Sequence, residues 1–194
     1  MNFRTVLLTF ACAAGLTAGP QDSAQTKKAP NCTLGPVAFQ TLAEGTYFYL
    51  SARATQAELP TLAPALSQRL AALLKEAGLH SFGPLLMIQR GASEDPRMPF
   101  DFEVGILAPK ATKPFGEAKV RSLAAFPCAT MVASGDFAGE GGKAAFIALF
   151  KAAGEQGRIP TGEFREMLLY WESEASTNNL MQVQIGLQSA IASK

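Results

Sequence analysis

The chain has 194 residues, of which 48% are hydrophobic and 17% charged, and its formal net charge is +1. That length supports one good core but not comfortably two. The balanced charge gives no argument for a nucleic-acid or anionic-membrane surface, and no internal apolar run is long enough for a membrane-spanning helix.

The N-terminus stands apart. Arg4 precedes an apolar stretch, Thr5 to Ala18 (TVLLTFACAAGLTA), and a polar segment follows. A basic start, a short apolar run and small residues near its end read as an export signal over residues 1–19. A buried first helix fits less well, because the next dozen residues are polar and carry Pro and Gly. The protein is therefore expected to be exported, periplasmic or secreted. Ala18 marks one cleavage point, although Leu16 is large for the small-residue rule. Cys12 follows Phe10-Ala11, an imperfect lipid-attachment box, so lipid anchoring is the alternative. Export leaves Cys32 and Cys128, and in an oxidising compartment two such thiols commonly pair. Two separate buried thiols are the other reading. There is no CxxC, and the single histidine is His80, so neither a metal site nor a Cys/His nucleophile pair is indicated.

Residues 20–34 read as a flexible linker, polar and without periodicity. Residues 35–40 form a short first strand or edge segment. Thr46 to Arg53 (TYFYLSAR) alternates as a strand should. Leu62, Leu66, Leu70, Leu73 and Leu74 recur at helical spacing, which predicts a helix over 61–77 with Pro60 and Pro64 near its start and Gly78 as its stop. Leu85 to Arg90 is the next strand, followed by Phe100 to Ile106 (FDFEVGI). There Phe100, Phe102, Val104 and Ile106 face a core, while Asp101, Glu103 and Gly105 form the opposite face. That second face carries two carboxylates and a residue with no side chain, a floor rather than a plug.

The order strand, helix, strand, strand then recurs. Lys119 to Ser134 holds one strand bent at Pro127, Lys143 to Glu155 a helix, Phe164 to Glu172 (FREMLLYWE) a strand, and Met181 to Leu187 (MQVQIGL) the last strand. The Gly139–Gly142 run lacks the GxxxxGK[ST] pattern of a phosphate loop. Aligned on their glycines, FEVGIL and VQIGLQ set Glu103 against Gln184 and Asp101 against Gln182. The fold expected is α+β: tandem duplicated strand-helix-strand-strand units, an antiparallel sheet with helices on one face, and a central cleft between the halves.

The pieces GLHSFGPLLMIQRG, DFEVGIL, KAAFIALFKAAGEQG, RIPTG, FREMLLYW and MQVQIGL, in that order, resemble the GyrI-like small-molecule-binding domains, the effector-binding domains of multidrug-responsive regulators. The resemblance covers roughly Thr46 to Leu187, within a domain taken as 35–194. It implies a cleft at a pseudo-twofold axis that takes flat, apolar, often cationic molecules beside a buried acid. Glu166 matches the family's glutamate at the start of its strand, and Glu103 the glutamate before the glycine. Leu168 stands where the family usually has a tyrosine, with Tyr170 two residues further on. Gln182 stands where an acid is usual, which implies a less acidic pocket and a more neutral ligand.

The candidate ligand-binding set is therefore Glu103, Glu166, Tyr170, Tyr47, Tyr49, Leu168 and Gln182, with aromatic walls that add cation–π attraction. For Glu166 the competing reading is a solvated strand residue, and for the tyrosines ordinary packing. No cofactor is expected, and His80 beside a turn reads as a surface residue rather than a haem ligand. Three functions are consistent with these readings. The first is an exported stand-alone protein that binds a small hydrophobic or cationic organic molecule, with no room for a DNA-binding segment. The second is a small-molecule hydrolase using Glu166 and Tyr170 as base and acid. The third is an envelope interaction protein whose cleft is filled by its own side chains.

Overall fold

The computed structural model describes residues 32–188 apart from 80–82, 94, 138–139 and 174. The export segment, Cys12 and His80 lie outside the described residues. The elements run β1 (Cys32–Leu34), β2 (Ala38–Leu42), β3 (Gly45–Ala54), α1 (Leu59–Glu76), β4 (Leu85–Arg90), β5 (Phe100–Ala108), β6 (Lys119–Leu123), β7 (Phe126–Gly135), α2 (Glu140–Glu155), β8 (Pro160–Tyr170) and β9 (Leu180–Leu187). Among the described residues the expected class holds: one antiparallel sheet, ordered β1-β7-β9-β8-β4-β5-β3-β6 with β2 also on β7, and two helices.

The helices form where apolar residues recur at helical spacing. Leu59, Ala63, Ser67, Leu70, Leu73 and Leu74 are the buried face of α1. Pro60 sits in its first turn, where the missing N–H had no partner to lose, and Pro64 sacrifices one intrahelical bond. Both helices end alike, on Gly78 and Gly157 with φ of 63° at each. The N–H of Leu79 then reaches back to the Leu74 carbonyl and that of Arg158 to the Ala153 carbonyl, each at 2.9 Å.

The duplication is written in the register. On β5 Glu103 lies opposite Ile88, on β9 Gln184 lies opposite Arg165, and Ile88 lies opposite Arg165 across the central β4–β8 pair. The two units, β3-α1-β4-β5 and β7-α2-β8-β9, are thus related by a pseudo-twofold axis between Ile88 and Arg165. Gly105 and Gly186 are equivalent, and an aromatic ring of the adjoining strand covers each. A Cβ at Gly105 would stand 2.5 Å from the Tyr47 ring, and one at Gly186 would stand 2.8 Å from the Phe126 ring.

The segment 119–134, expected as one strand, is two. β6 pairs with β3 and β7 with β2, and only Ala124 and Ala125 separate them. Leu42 faces Phe126 and Gly45 faces Leu123, so the register continues unbroken around the corner. β2–β3 and β6–β7 therefore form one bent ribbon that joins the two ends of the sheet. The sheet curls until its ends meet, with one face turned inward. α1 packs outside on β3 and β5, and α2 outside on β7 and β9.

Two further expectations change. The last residues of the expected linker, Cys32–Leu34, are a strand on β7. Cys32 and Cys128 do not form a disulfide. Cys32 lies opposite Gly135, seven residues along β7 from Cys128, which is roughly 23 Å of strand and far beyond the span a disulfide bridges.

Candidate functional site

The inward face of the sheet carries a second, smaller cluster built on Tyr47, Leu86, Ile88 and Leu123, with Tyr49 and Met167 packed against it. Strand alternation puts them there. Tyr47 is fully buried, its hydroxyl donates to the Leu86 carbonyl at 2.8 Å, and its ring lies parallel to that of Tyr49 with centroids 5.0 Å apart. The close approach over Gly105 is possible only because that residue has no Cβ. Burial pushes the Tyr47 phenol well up, and the neighbouring Glu103 carboxylate adds to it, against Arg121, Arg90 and Arg165. That phenol is a fixed hydrogen-bond donor, not a base.

A chain of charges crosses this interior from one half to the other. Arg121 lies over both tyrosine rings, 5.6 and 5.4 Å from their centroids, and its Nη2 donates to Glu103 at 2.7 Å. Glu103 is held on its other oxygen by Arg90 at 3.0 Å. Arg90 bonds Glu163 at 2.7 Å, and Glu163 bonds Arg165 at 2.6 Å. The Arg165 guanidinium is stacked 3.5 Å from the centroid of the Phe126 ring. Glu163 illustrates the balance. Its burial favours the neutral acid, but the charge of Arg165 and hydrogen bonds from Arg90 and Arg165 outweigh it and hold the carboxyl below its ordinary range. Beside Arg165, Gln184 is fully buried with neither end of its amide partnered among the described residues. At the mouth lies a cleft of about 310 Å³ open to solvent, lined by Arg90, Phe126, Pro127, Thr161, Glu163 and Leu187, among others.

No family model and no curated protein matches the sequence. Solved structures do. The C-terminal domain of EcmrR superposes with a TM-score of 0.61 at 13% identity, over 80% of this chain and 98% of that one. SAV2435 bound to tetraphenylphosphonium superposes with a TM-score of 0.56 at 12% identity, over 80% and 95%. The chain has the GyrI-like fold. It spans 61% of the longer EcmrR chain seen in complex with DNA (TM-score 0.59, 13% identity, 86% of this chain covered).

The GyrI-like arrangement divides the residues expected to form the site. Tyr47, Tyr49, Glu103 and Gln182 are on the inward face, where Gln182 donates to the Thr130 hydroxyl at 3.1 Å. Glu166 and Leu168 are on the other face, under the helices. Glu166 sits between Met87 and Val183, both in the main core. It is 1% exposed, neither carboxylate oxygen has a partner among the described residues, and burial alone pushes its carboxyl well up. The sheet itself separates it from Glu103. Tyr170 is half-exposed at the strand end and donates to Glu172 at 2.8 Å. Four residues of strand, about 13 Å, divide it from Glu166, so the pair expected for a hydrolase is not brought together. Arg90, Arg121, Glu163 and Arg165 escaped the sequence reading. The parity of FREM carried the signal for Arg165: it shares a face with Met167, and Glu166 does not.

Proposed function

We propose that this chain is an exported small-molecule-binding protein, taking a small aromatic guest into the inward face of the curled sheet between its two halves. The observation that carries the reading is a stacked tyrosine wall on the inward face, linked through Arg121, Glu103 and Arg90 to a solvent-open cleft lined by Arg90 and Glu163. A neighbour of the same fold bound to tetraphenylphosphonium supports it. Tyr49, half-buried at the edge of the stack, offers the ring on which a flat guest would lie. Calorimetric titration with flat aromatic probes tests it. Binding by the wild type should be lost, or weakened about tenfold, in Tyr49→Ala. A probe set that binds nowhere, or binds Tyr49→Ala equally well, removes the reading. The export half rests on residues 1–19, and the N-terminal sequence of the protein recovered outside the cytoplasm checks it.

A further inference from the structure

Resting on that reading, we propose that the guest is an organic anion: a flat apolar body bearing one carboxylate, placed among the guanidinium groups of Arg90, Arg121 and Arg165. The two acids of the interior are already committed. Each oxygen of Glu103 is held by a different arginine, Arg90 or Arg121. Glu163 gives one oxygen to Arg90 and the other to Arg165. A cation entering here would have to take a carboxylate from an arginine and leave that guanidinium uncompensated in a half-dry site. An anion need break none of these ion pairs. Three guanidinium groups face two carboxylates, so one positive charge is left over.

The donors are in place as well. Among the described residues the Nε–H of Arg121 is buried without a partner, and so is the amide of Gln184 beside Arg165. Buried donors without acceptors are costly, and a guest carboxylate supplies the acceptors. The Arg165 side chain is only 8% exposed. Burial lowers its hold on its proton, the Glu163 carboxylate opposes this, and the like charges of Arg90 and Arg121 add to the lowering. The Arg121 guanidinium, fixed over Tyr47 and Tyr49, joins the charged end of the site to its aromatic wall.

The test is titration of the full chain with three probes of one shape: 2-naphthoate, 2-naphthamide and protonated 2-naphthylmethylamine. Naphthoate should bind about tenfold or more tightly than either of the others. Arg121→Met should remove most of that preference by weakening naphthoate, and its circular dichroism and cooperative thermal unfolding report that the variant is folded. Arg165→Gln should act likewise, and if it fails to fold, Arg121→Met decides alone. Equal binding of acid and amide, or tighter binding of the ammonium, overturns the anion and leaves the binding site standing. So does a variant that keeps the naphthoate preference. If none of the three binds, the binding site falls too.

Discussion

Glu166 is the residue whose chemistry and position disagree most. It lies in a row with Met87 and Val183 beneath the helices, and both of its oxygens lack a partner among the described residues. The buried faces of α1 and α2 offer it apolar groups and the Ser67 hydroxyl, which is already given to the Ala63 carbonyl at 2.8 Å. Its carboxyl therefore keeps its proton to higher pH in the folded chain than in the unfolded one, whose value is near 4.5. The sign follows. Stability contributed by the protonated form is complete below about pH 4.5 and is lost as pH rises toward the folded value. One proton sets the slope, at most about 1.4 kcal/mol per pH unit. Glu166→Gln, which cannot ionise, should gain on the wild type as pH rises from about 4.5 through the range in which the folded carboxyl gives up its proton. Urea midpoints across that range measure it, and parallel curves would show that the carboxyl is not buried as described.

At the scale of elements, the helices and most strands were legible because each carries its own periodicity. The leucines of α1 and the alternation of FDFEVGI need no partner to be read. β1 was missed because three residues form a strand only by lying on β7. The break between β6 and β7 was missed because Ala124-Ala125 carries no turn chemistry. It is a corner imposed by the ribbon, whose register continues through it. The site was half legible for a related reason. Alternation assigned each strand two faces, but only the register says which faces of different strands coincide, and so Glu166 was grouped with Glu103. Two expectations belong at this scale. Gly78→Ala and Gly157→Ala should each cost about 1 kcal/mol, because an added Cβ meets nothing within 4 Å and only the left-handed backbone resists it. Thermal unfolding checks it, and a neutral effect at both would contradict the shared helix ending. The strand register also keeps Cys128 from Cys32, so the Cys128 peptide should be alkylated in denatured protein that has seen no reductant. A Cys32–Cys128 cross-linked peptide would refute the register of β1 on β7.

At the scale of the whole molecule, the two halves are joined in two places on the pseudo-twofold axis: the β4–β8 pair and the bent ribbon opposite. The charge chain crosses the first of these. Glu103 comes from one unit, Glu163 from the other, and Arg90 holds both. The acids should therefore be coupled through Arg90 although they are not neighbours in sequence. Glu163→Gln leaves Arg165 and Arg90 short of a counter-charge and should cost about 2–3 kcal/mol at pH 7, since both arginines are partly or largely buried. Glu103→Gln should weaken the same arginine, and a double-mutant cycle should show coupling on the order of 0.5–3 kcal/mol. The pH dependence runs opposite to that of Glu166. The folded carboxyl of Glu163 is held below its ordinary value of 4.5, so its contribution is present above about that pH and is lost as acid reaches the folded value. The wild type should thus weaken toward both acid and base, the acid limb moving with Glu163→Gln and the basic limb with Glu166→Gln. If the two limbs respond to the same substitution, the inward and outward faces of the sheet are not the separate environments described above. Additive losses in the cycle would mean that the halves are joined by the backbone alone.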